Sequence, residues 1–360
     1  MGTRSALIIV ILVFALPLAA QVRRKVIIDQ DARGPATTDQ QSILMFIQSP
    51  EVEPLGITVV SGDMYRDEEV AHTLRMLEII GRTDIPVVPG AVFPLINRER
   101  AILRWENLYG KVSYKGAWNR VPTGDGQRGV YHGPFEVPDL VEGNPTTRPA
   151  SDDAAHFISA MVHKYPHEVT LYAAGPLTNI ALAVSLDPQV PELAQELVLM
   201  GGSIAPIVPP DWVPENRREF NFWWDPEAAH MVLTAPWHKI TDITVDISVK
   251  TWMKRAMISE IAKSPNPVAQ YLAKYADEEY RWDELAAAAW LDPSIITKEQ
   301  QLYLDMDYSH GAGYGNTLAW TPGTQPALGE QLIHVPTDLD LAKFDKLFVD
   351  LMTRPTPKAN

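Results

Sequence analysis

Short apolar runs and amphipathic stretches alternate along most of the chain. Val26-Ile27-Ile28 is a brief apolar run, followed by a loop and an apolar-periodic stretch from Ser42 to Ile47. Leu55 to Val60 reads as a second buried strand. Asp67 to Ile80 reads as a helix, with Val70, Leu74, Leu77 and Ile80 at the spacing of one helical face. Pro86 to Gly90 is a third strand ending in a turn. The rhythm resumes with a helix over Asp152 to His163, a strand over Val169 to Tyr172 and a helix after Asn179. A strand over Glu196 to Met200 and a helix over Pro226 to Thr234 continue it. Such alternation predicts an α/β fold, a mainly parallel central sheet that is open and Rossmann-like, with helices on both faces. Ligands of such sheets lie beyond the carboxyl ends of the strands, so chemistry is expected just after each apolar run.

Two segments break the rhythm. Pro94 to Pro149 is rich in Gly, Pro, Trp and Tyr and has little periodicity. It is too long for an ordinary loop and reads as either a mobile lid or an irregular excursion on the surface. In the tail, Leu302 to Asp305, Asn316 to Ala319 and Leu332 to Val335 resemble short strands, and Leu341 to Leu351 a closing amphipathic helix. Gly311-Ala312-Gly313-Tyr314-Gly315 lies between two of those strands and reads as a hairpin turn.

The N-terminus is of another kind. A basic Met1–Arg4 precedes an apolar run from Ala6 to Leu16, then Ala19-Ala20 and the basic stretch 21–25. This is the pattern of a secretory signal peptide over residues 1–20, which leaves residues 21–360 as one exported domain, periplasmic or secreted. The alternative is an N-terminal membrane anchor, for which the run is short against the roughly 20 apolar residues a span needs. The domain itself is expected to engage no membrane.

Composition narrows the chemistry. With 46% apolar residues over 360 positions the chain can fill a large core. Thirty-one basic residues against 45 acidic ones leave a charge of −14, which argues against a nucleic-acid polymer as partner. The absence of cysteine excludes disulfides, thiolate metal sites and a cysteine nucleophile. There is no G-x-S-x-G elbow, and no histidine pair at zinc-ligand spacing with a partner carboxylate.

Carboxylates remain. Asp29-Gln30-Asp31 ends the first strand, and Asp39 opens the next helix eight residues after Asp31. Clustered hard oxygen donors suit Ca²⁺ or Mg²⁺, although the same aspartates also read as turn and helix caps. Ala173-Ala174-Gly175-Pro176-Leu177-Thr178-Asn179 follows another strand directly and lacks the lysine of a phosphate loop. Leu199-Met200-Gly201-Gly202 ends a further strand, Glu219-Phe220-Asn221 precedes the Asp225-Pro226-Glu227 helix start, and Trp282-Asp283-Glu284 begins a run of alanines. Each of these also has a purely structural reading as a glycine turn, a cap or a helix start.

Taken in order, these segments resemble the nucleoside hydrolases of the inosine–uridine preferring type, from Lys25 to about Met352, with poor matching over Pro94 to Pro149. The resemblance rests on the Asp-x-Asp strand end and on Leu55-Gly56-Ile57-Thr58-Val59-Val60-Ser61-Gly62-Asp63. It rests further on Gly175-Pro176-Leu177-Thr178-Asn179-Ile180-Ala181, Leu199-Met200-Gly201-Gly202, and Glu219-Phe220-Asn221 ahead of Asp225-Pro226-Glu227-Ala228-Ala229. It implies a nucleoside hydrolase-like fold and a Ca²⁺ ion held by Asp31, Asp39, Asp283 and the carbonyl of Ala174. It also implies that Asp31 activates water, that Asp63, Met200, Glu219 and Asn221 line the ribose, and that the chain forms a homo-oligomer.

The chain departs from the family pattern at three of these positions. Thr38 stands where a second aspartate grips a ribose hydroxyl, after a loop lengthened by Arg33-Gly34-Pro35-Ala36-Thr37. Trp282 replaces a histidine assigned to protonating the leaving base, and can stack on a base but cannot act as an acid. Asp63 replaces an asparagine. The expected activity is calcium-dependent hydrolysis of the N-glycosidic bond of ribonucleosides, with purines mildly preferred through stacking on Trp282. The rivals are a non-catalytic calcium-dependent protein that binds a sugar or nucleoside, and a hydrolase of another ribosylated compound. Tyr275 and Tyr280 are further candidates for flanking a base.

Overall fold

In the computed structural model, residues 23–119, 132–204 and 218–358 are described. They build a nine-stranded sheet from β1 (Arg24–Gln30), β2 (Val52–Val59), β3 (Val87–Pro89), β4 (Val169–Ala173), β5 (Glu196–Met200), β6 (Ile240–Ile243), β7 (Ile296–Met306), β8 (Thr317–Trp320) and β9 (Leu332–Leu339). The signal-peptide assignment falls on residues outside those described. Among the described residues no helix is long and apolar enough to cross a membrane.

The order across the sheet is β3-β2-β1-β4-β5-β6-β9-β7-β8. All pairs from β3 through to β9 are parallel, and β7 runs antiparallel to both β9 and β8. The chain first winds outward from β1 to β3, then returns to β4 on the other flank of β1. The strand order therefore reverses between β1 and β4, and in an open sheet that reversal leaves a crevice at the carboxyl ends. Asp31 stands at the end of β1 and Ala174 at the end of β4. Topology alone brings these two to one place.

Apolar cores lie on both faces. Val26, Ile28, Tyr172, Val198 and Met200 face a layer that includes the helices Thr38–Gln48, Pro267–Tyr275, Trp282–Leu291 and Leu341–Thr353. Ile27, Leu171, Ala173, Leu197 and Leu199 face the other, with the helices Ala154–Lys164, Thr178–Leu186 and Pro226–Leu233. Successive residues of a strand supply opposite cores, which is why the central strands read as continuous apolar runs rather than alternating ones.

Two expectations need correction. The segment Pro94 to Pro149 is not irregular throughout, because Glu99–Tyr109 is a helix that buries Ile102, Trp105 and Glu106 on one face. Its signal is that short i, i+3, i+4 stripe, diluted by exposed Leu103, Leu108 and Tyr109. It packs in an aromatic cluster with Trp118, Trp223 and Trp224, where the Trp118 and Trp224 rings stack at 3.8 Å. Second, the sheet contains β6, for which the apolar pattern gives no strand. Asp242 interrupts its apolar run and is fully buried, and burial pushes its carboxyl well above the usual range.

Candidate metal and sugar site

A cavity of about 480 Å³ opens at the carboxyl edge of the sheet. Its walls include the ten positions matched to the family's metal and sugar site: Asp31, Thr38, Asp39, Asp63, Ala174, Met200, Glu219, Asn221, Trp282 and Asp283. They come from separate stretches of chain, so their convergence is a product of the fold.

Asp31 is held tightly. Its Oδ2 accepts the N–H of Asp63 at 2.9 Å, and its own N–H donates to Gln30 Oε1 at 3.0 Å. The surrounding backbone has no room for side chains. A Cβ at Gly62 would lie 2.1 Å from Asp31 Oδ2, and one at Gly175 would lie 2.6 Å from Asp31 N. These two glycines let the ends of β2 and β4 close on the aspartate. Asp39 lies in the first turn of the Thr38–Gln48 helix, where its Oδ2 accepts a hydrogen bond from Thr37 Oγ1 at 2.6 Å. Asp283 occupies the first turn of the Trp282–Leu291 helix.

The three aspartates are 2%, 4% and 3% exposed, respectively. Burial is the largest influence on each carboxyl, followed by the charges of neighbouring carboxylates. It pushes Asp39 up to about 7, and Asp31 and Asp283 well above the ordinary range. A dication is the natural counter-charge for such a group, and carboxylates plus a backbone carbonyl are the donors that Ca²⁺ takes. The donor set therefore fits the ion. Among the described residues, the metal-capable trio whose ligand atoms all lie within 4.8 Å is instead the exposed Asp152, Asp153 and His156. There Asp153 caps the Ala154–Lys164 helix and binds His156, which accounts for the trio without a metal.

One residue that carries no signal in the sequence joins the three aspartates. Gln30 Nε2 donates to Asp283 Oδ2 at 2.9 Å and to Ser42 Oγ at 3.2 Å, and approaches the Asp39 carbonyl at 3.4 Å. Its Oε1 holds Asp31. Lying between two aspartates, Gln30 reads as a spacer, and only the fold reveals what its amide reaches. Groups that orient ligands typically carry about 10–100-fold in metal affinity. Gln30→Leu is therefore expected to weaken calcium binding by that factor in a calorimetric titration. Unchanged affinity would show that the aspartates orient themselves.

Glu219 caps the short helix Phe220–Trp224, accepting the N–H groups of Asn221 at 2.8 Å, Phe222 at 3.0 Å and Gly202 at 2.8 Å. Burial raises its carboxyl to about 7 against the pull of those three donors. The helix cap and the pocket wall are thus one residue. Asn221 Nδ2 spans the Ala174 carbonyl at 3.1 Å and the Met200 carbonyl at 3.0 Å, joining the ends of β4 and β5.

Other candidates divide. Thr38 lines the pocket, but its hydroxyl hydrogen goes to Glu284 Oε2 at 2.5 Å and its oxygen accepts the Asp283 N–H at 3.3 Å. It serves chiefly as a tie between two helices. Asp29 does not line the pocket. It accepts Thr58 Oγ1 at 2.5 Å and Asn179 Nδ2 at 2.7 Å beneath it. Tyr275 packs on Tyr271 instead, whereas Tyr280 reaches the pocket and packs between Trp252 and Trp282, each ring centre 4.8 Å away. Phe220, Trp223 and Tyr114 also line the cavity. Trp252, Tyr114, Glu279 and Arg33 are pocket residues that no sequence motif marks.

A family model described as inosine-uridine preferring nucleoside hydrolase matches residues 26–346. A probable uridine nucleosidase 2 of Arabidopsis thaliana is 31% identical, over 76% of this chain and 76% of its own. The pyrimidine-specific ribonucleoside hydrolase RihA of Shewanella woodyi is 30% identical, over 77% of this chain and 82% of its own. Among solved structures, a purine-preferring ribonucleoside hydrolase from Gardnerella vaginalis superposes with a TM-score of 0.71 at 21% identity, covering 92% of this chain and 98% of that one.

Proposed function

Because this chain belongs to the inosine–uridine preferring nucleoside hydrolase family, we propose that its pocket hydrolyses the N-glycosidic bond of ribonucleosides with calcium bound, purines being preferred. The convergence of Asp31, Asp39, Asp283 and the Ala174 carbonyl in one cavity with Glu219 and Asn221 is the observation that carries this reading. When bound by the first four, the calcium ion supplies positive charge that orients an attacking water and the vicinal hydroxyls of the sugar.

The chain's own groups account for the rest. Asp31 is the base that takes a proton from the water, and the Asp63 N–H and the Gln30 amide hold it in place. The water oxygen adds to C1′ as the C1′–N bond breaks, the departing base takes a proton at nitrogen from solvent water, and Asp31 then returns the proton it took to solvent. Positive charge grows on the sugar along the way, as in other glycoside hydrolyses. Carboxylates fixed around the ring stabilise that charge without reorganising. Glu219 and Asn221 stand against the sugar. Trp282, Tyr280 and Trp252 form an aromatic wall on which a flat base stacks, and a purine covers more of it than a pyrimidine. The relatives named above take opposite sides on the base, so the preference proposed here rests on that wall alone.

Free ribose released from a panel of purine and pyrimidine nucleosides, with calcium and after chelation, tests this. Calcium-dependent release that is faster for purines is the expected result. Equal or faster release from uridine would overturn the preference. Absence of release from every nucleoside by a folded, calcium-binding protein would redirect the reading to other ribosides. We further propose export, on the apolar leader before Gln21. N-terminal sequencing of protein recovered outside the cytoplasm should begin at Gln21.

A further inference from the structure

The lengthened loop after Asp31 places a buried cation inside the pocket. Arg33 is 3% exposed and lines the cavity. Its Nη1 lies 2.6 Å from Asp63 Oδ2 and donates to the Tyr114 hydroxyl at 3.2 Å. Tyr114 in turn donates to Asp63 Oδ1 at 2.7 Å, so both oxygens of the Asp63 carboxylate are held. Nη2 lies 3.9 Å from Glu279 Oε2, and Glu279 Oε1 accepts the Thr38 N–H at 3.0 Å. The N–H of Asp63 donates to Asp31 Oδ2, which places this carboxylate beside the proposed base.

From this arrangement we infer that Arg33 is a positioning residue for sugar binding, fixing Asp63 as the acceptor for a ribose hydroxyl next to Asp31. The inference deepens the hydrolase reading and rests on it. Thr38 spends its hydroxyl hydrogen on Glu284, accepts the Asp283 N–H and carries no charge, so it offers the sugar no anionic acceptor. Asp63 supplies one. Each of its oxygens has a lone pair beyond the one its fixed donor takes. A carboxylate packed against Asp31 and Asp39 is repelled by them, and a guanidinium holds it there with a geometry an ammonium cannot match. Removal of either partner leaves the other's charge in a largely buried setting without its closest counter-charge. Removal of both charges together does not.

That asymmetry defines the test. Steady-state kinetics of ribose release and calorimetric titration with free ribose are compared for the wild type, Arg33→Met, Asp63→Asn and the double variant. The amide introduced by Asp63→Asn keeps an oxygen for Tyr114 and brings no charge. Arg33→Met is expected to raise KM, and to weaken ribose binding, by about 10–100-fold, the equivalent of one charge-assisted hydrogen bond. The change in kcat should be much smaller. With Asp63 already neutral, Arg33→Met should add less than about threefold to the loss caused by Asp63→Asn alone, because Arg33 acts through that carboxylate. An Arg33→Met effect as large in the Asp63→Asn background as in the wild type would show that Arg33 only shapes its loop, and would overturn the inference. Should Arg33→Met fail to fold, Arg33→Gln replaces it in the same cycle and is read in the same way. A wild type that releases no ribose overturns the hydrolase reading itself. A wild type that releases ribose, with KM and ribose affinity unmoved by Arg33→Met, overturns this inference alone.

Discussion

Asp31→Asn is expected to lower kcat for ribose release by about a thousandfold, within the range a positioned general base contributes, while leaving the protein folded. The choice of asparagine matters. Its side-chain oxygen can still accept the Asp63 N–H that Asp31 accepts at 2.9 Å, and it fits the space between Gly62 and Gly175 as aspartate does. What it removes is the negative charge and the ability to take a proton. Alanine would also vacate the contacts with both glycines and confuse packing with chemistry. A smaller fall in calcium affinity should accompany the change, since one anionic donor becomes neutral; assays at saturating calcium separate the two effects. Retention of more than about a tenth of wild-type kcat under those conditions would remove Asp31 as the base. A protein that only bound nucleosides would have no turnover to lose, and both forms would then bind alike.

How much of this is legible in the sequence differs between the fold and the site. The central parallel strands announce themselves because buried strands are continuous apolar runs, and their observed limits lie within a few residues of the expected ones. Strand β6 does not, because Asp242 sits in its middle. The short helices after it, Val245–Ser248 and Arg255–Ile261, are equally silent, being too brief to show a period. The ten positions matched to the family's site line one cavity, and of the two further tyrosine candidates Tyr280 joins them and Tyr275 does not. What stays hidden are side chains whose importance lies in their reach. Gln30 looks like a spacer and Arg33 like part of an insertion, yet the first touches all three aspartates and the second pairs with Asp63. Tyr114 and Glu279 come from parts of the chain that carry no motif. A pattern in sequence reports which face a residue takes within its own element. It does not report what lies across a pocket from it.

Removal of calcium should destabilise the protein, and the effect should grow with pH. Asp39 is raised to about 7 by burial first and by the neighbouring charge of Asp63 second, with Asp31 and Asp283 raised well above the ordinary range. In the unfolded chain such groups titrate near 4. Below that pH they are protonated in both states and cost the fold nothing. As pH rises from about 4 through 7, the unfolded chain ionises freely while the folded site resists, so the metal-free protein loses stability across that window. A bound dication reverses the balance by favouring the ionised carboxylates, and protons compete with it for the same oxygens. The increase in Tm on adding calcium is therefore expected to be small at pH 5 and to reach several degrees at pH 8. Calcium at about a hundred times its Kd stabilises by about 2.7 kcal/mol, which for a chain of this size corresponds to a shift of about 3–5 °C. Scanning calorimetry at the two pH values, with calcium and with chelator, gives the comparison. A calcium-induced shift that is equal at both, or larger at pH 5, would mean that the ion binds away from these aspartates. Asp39→Asn should remove most of the shift and flatten its pH dependence, because it takes from the ion an anionic ligand that titrates within the window.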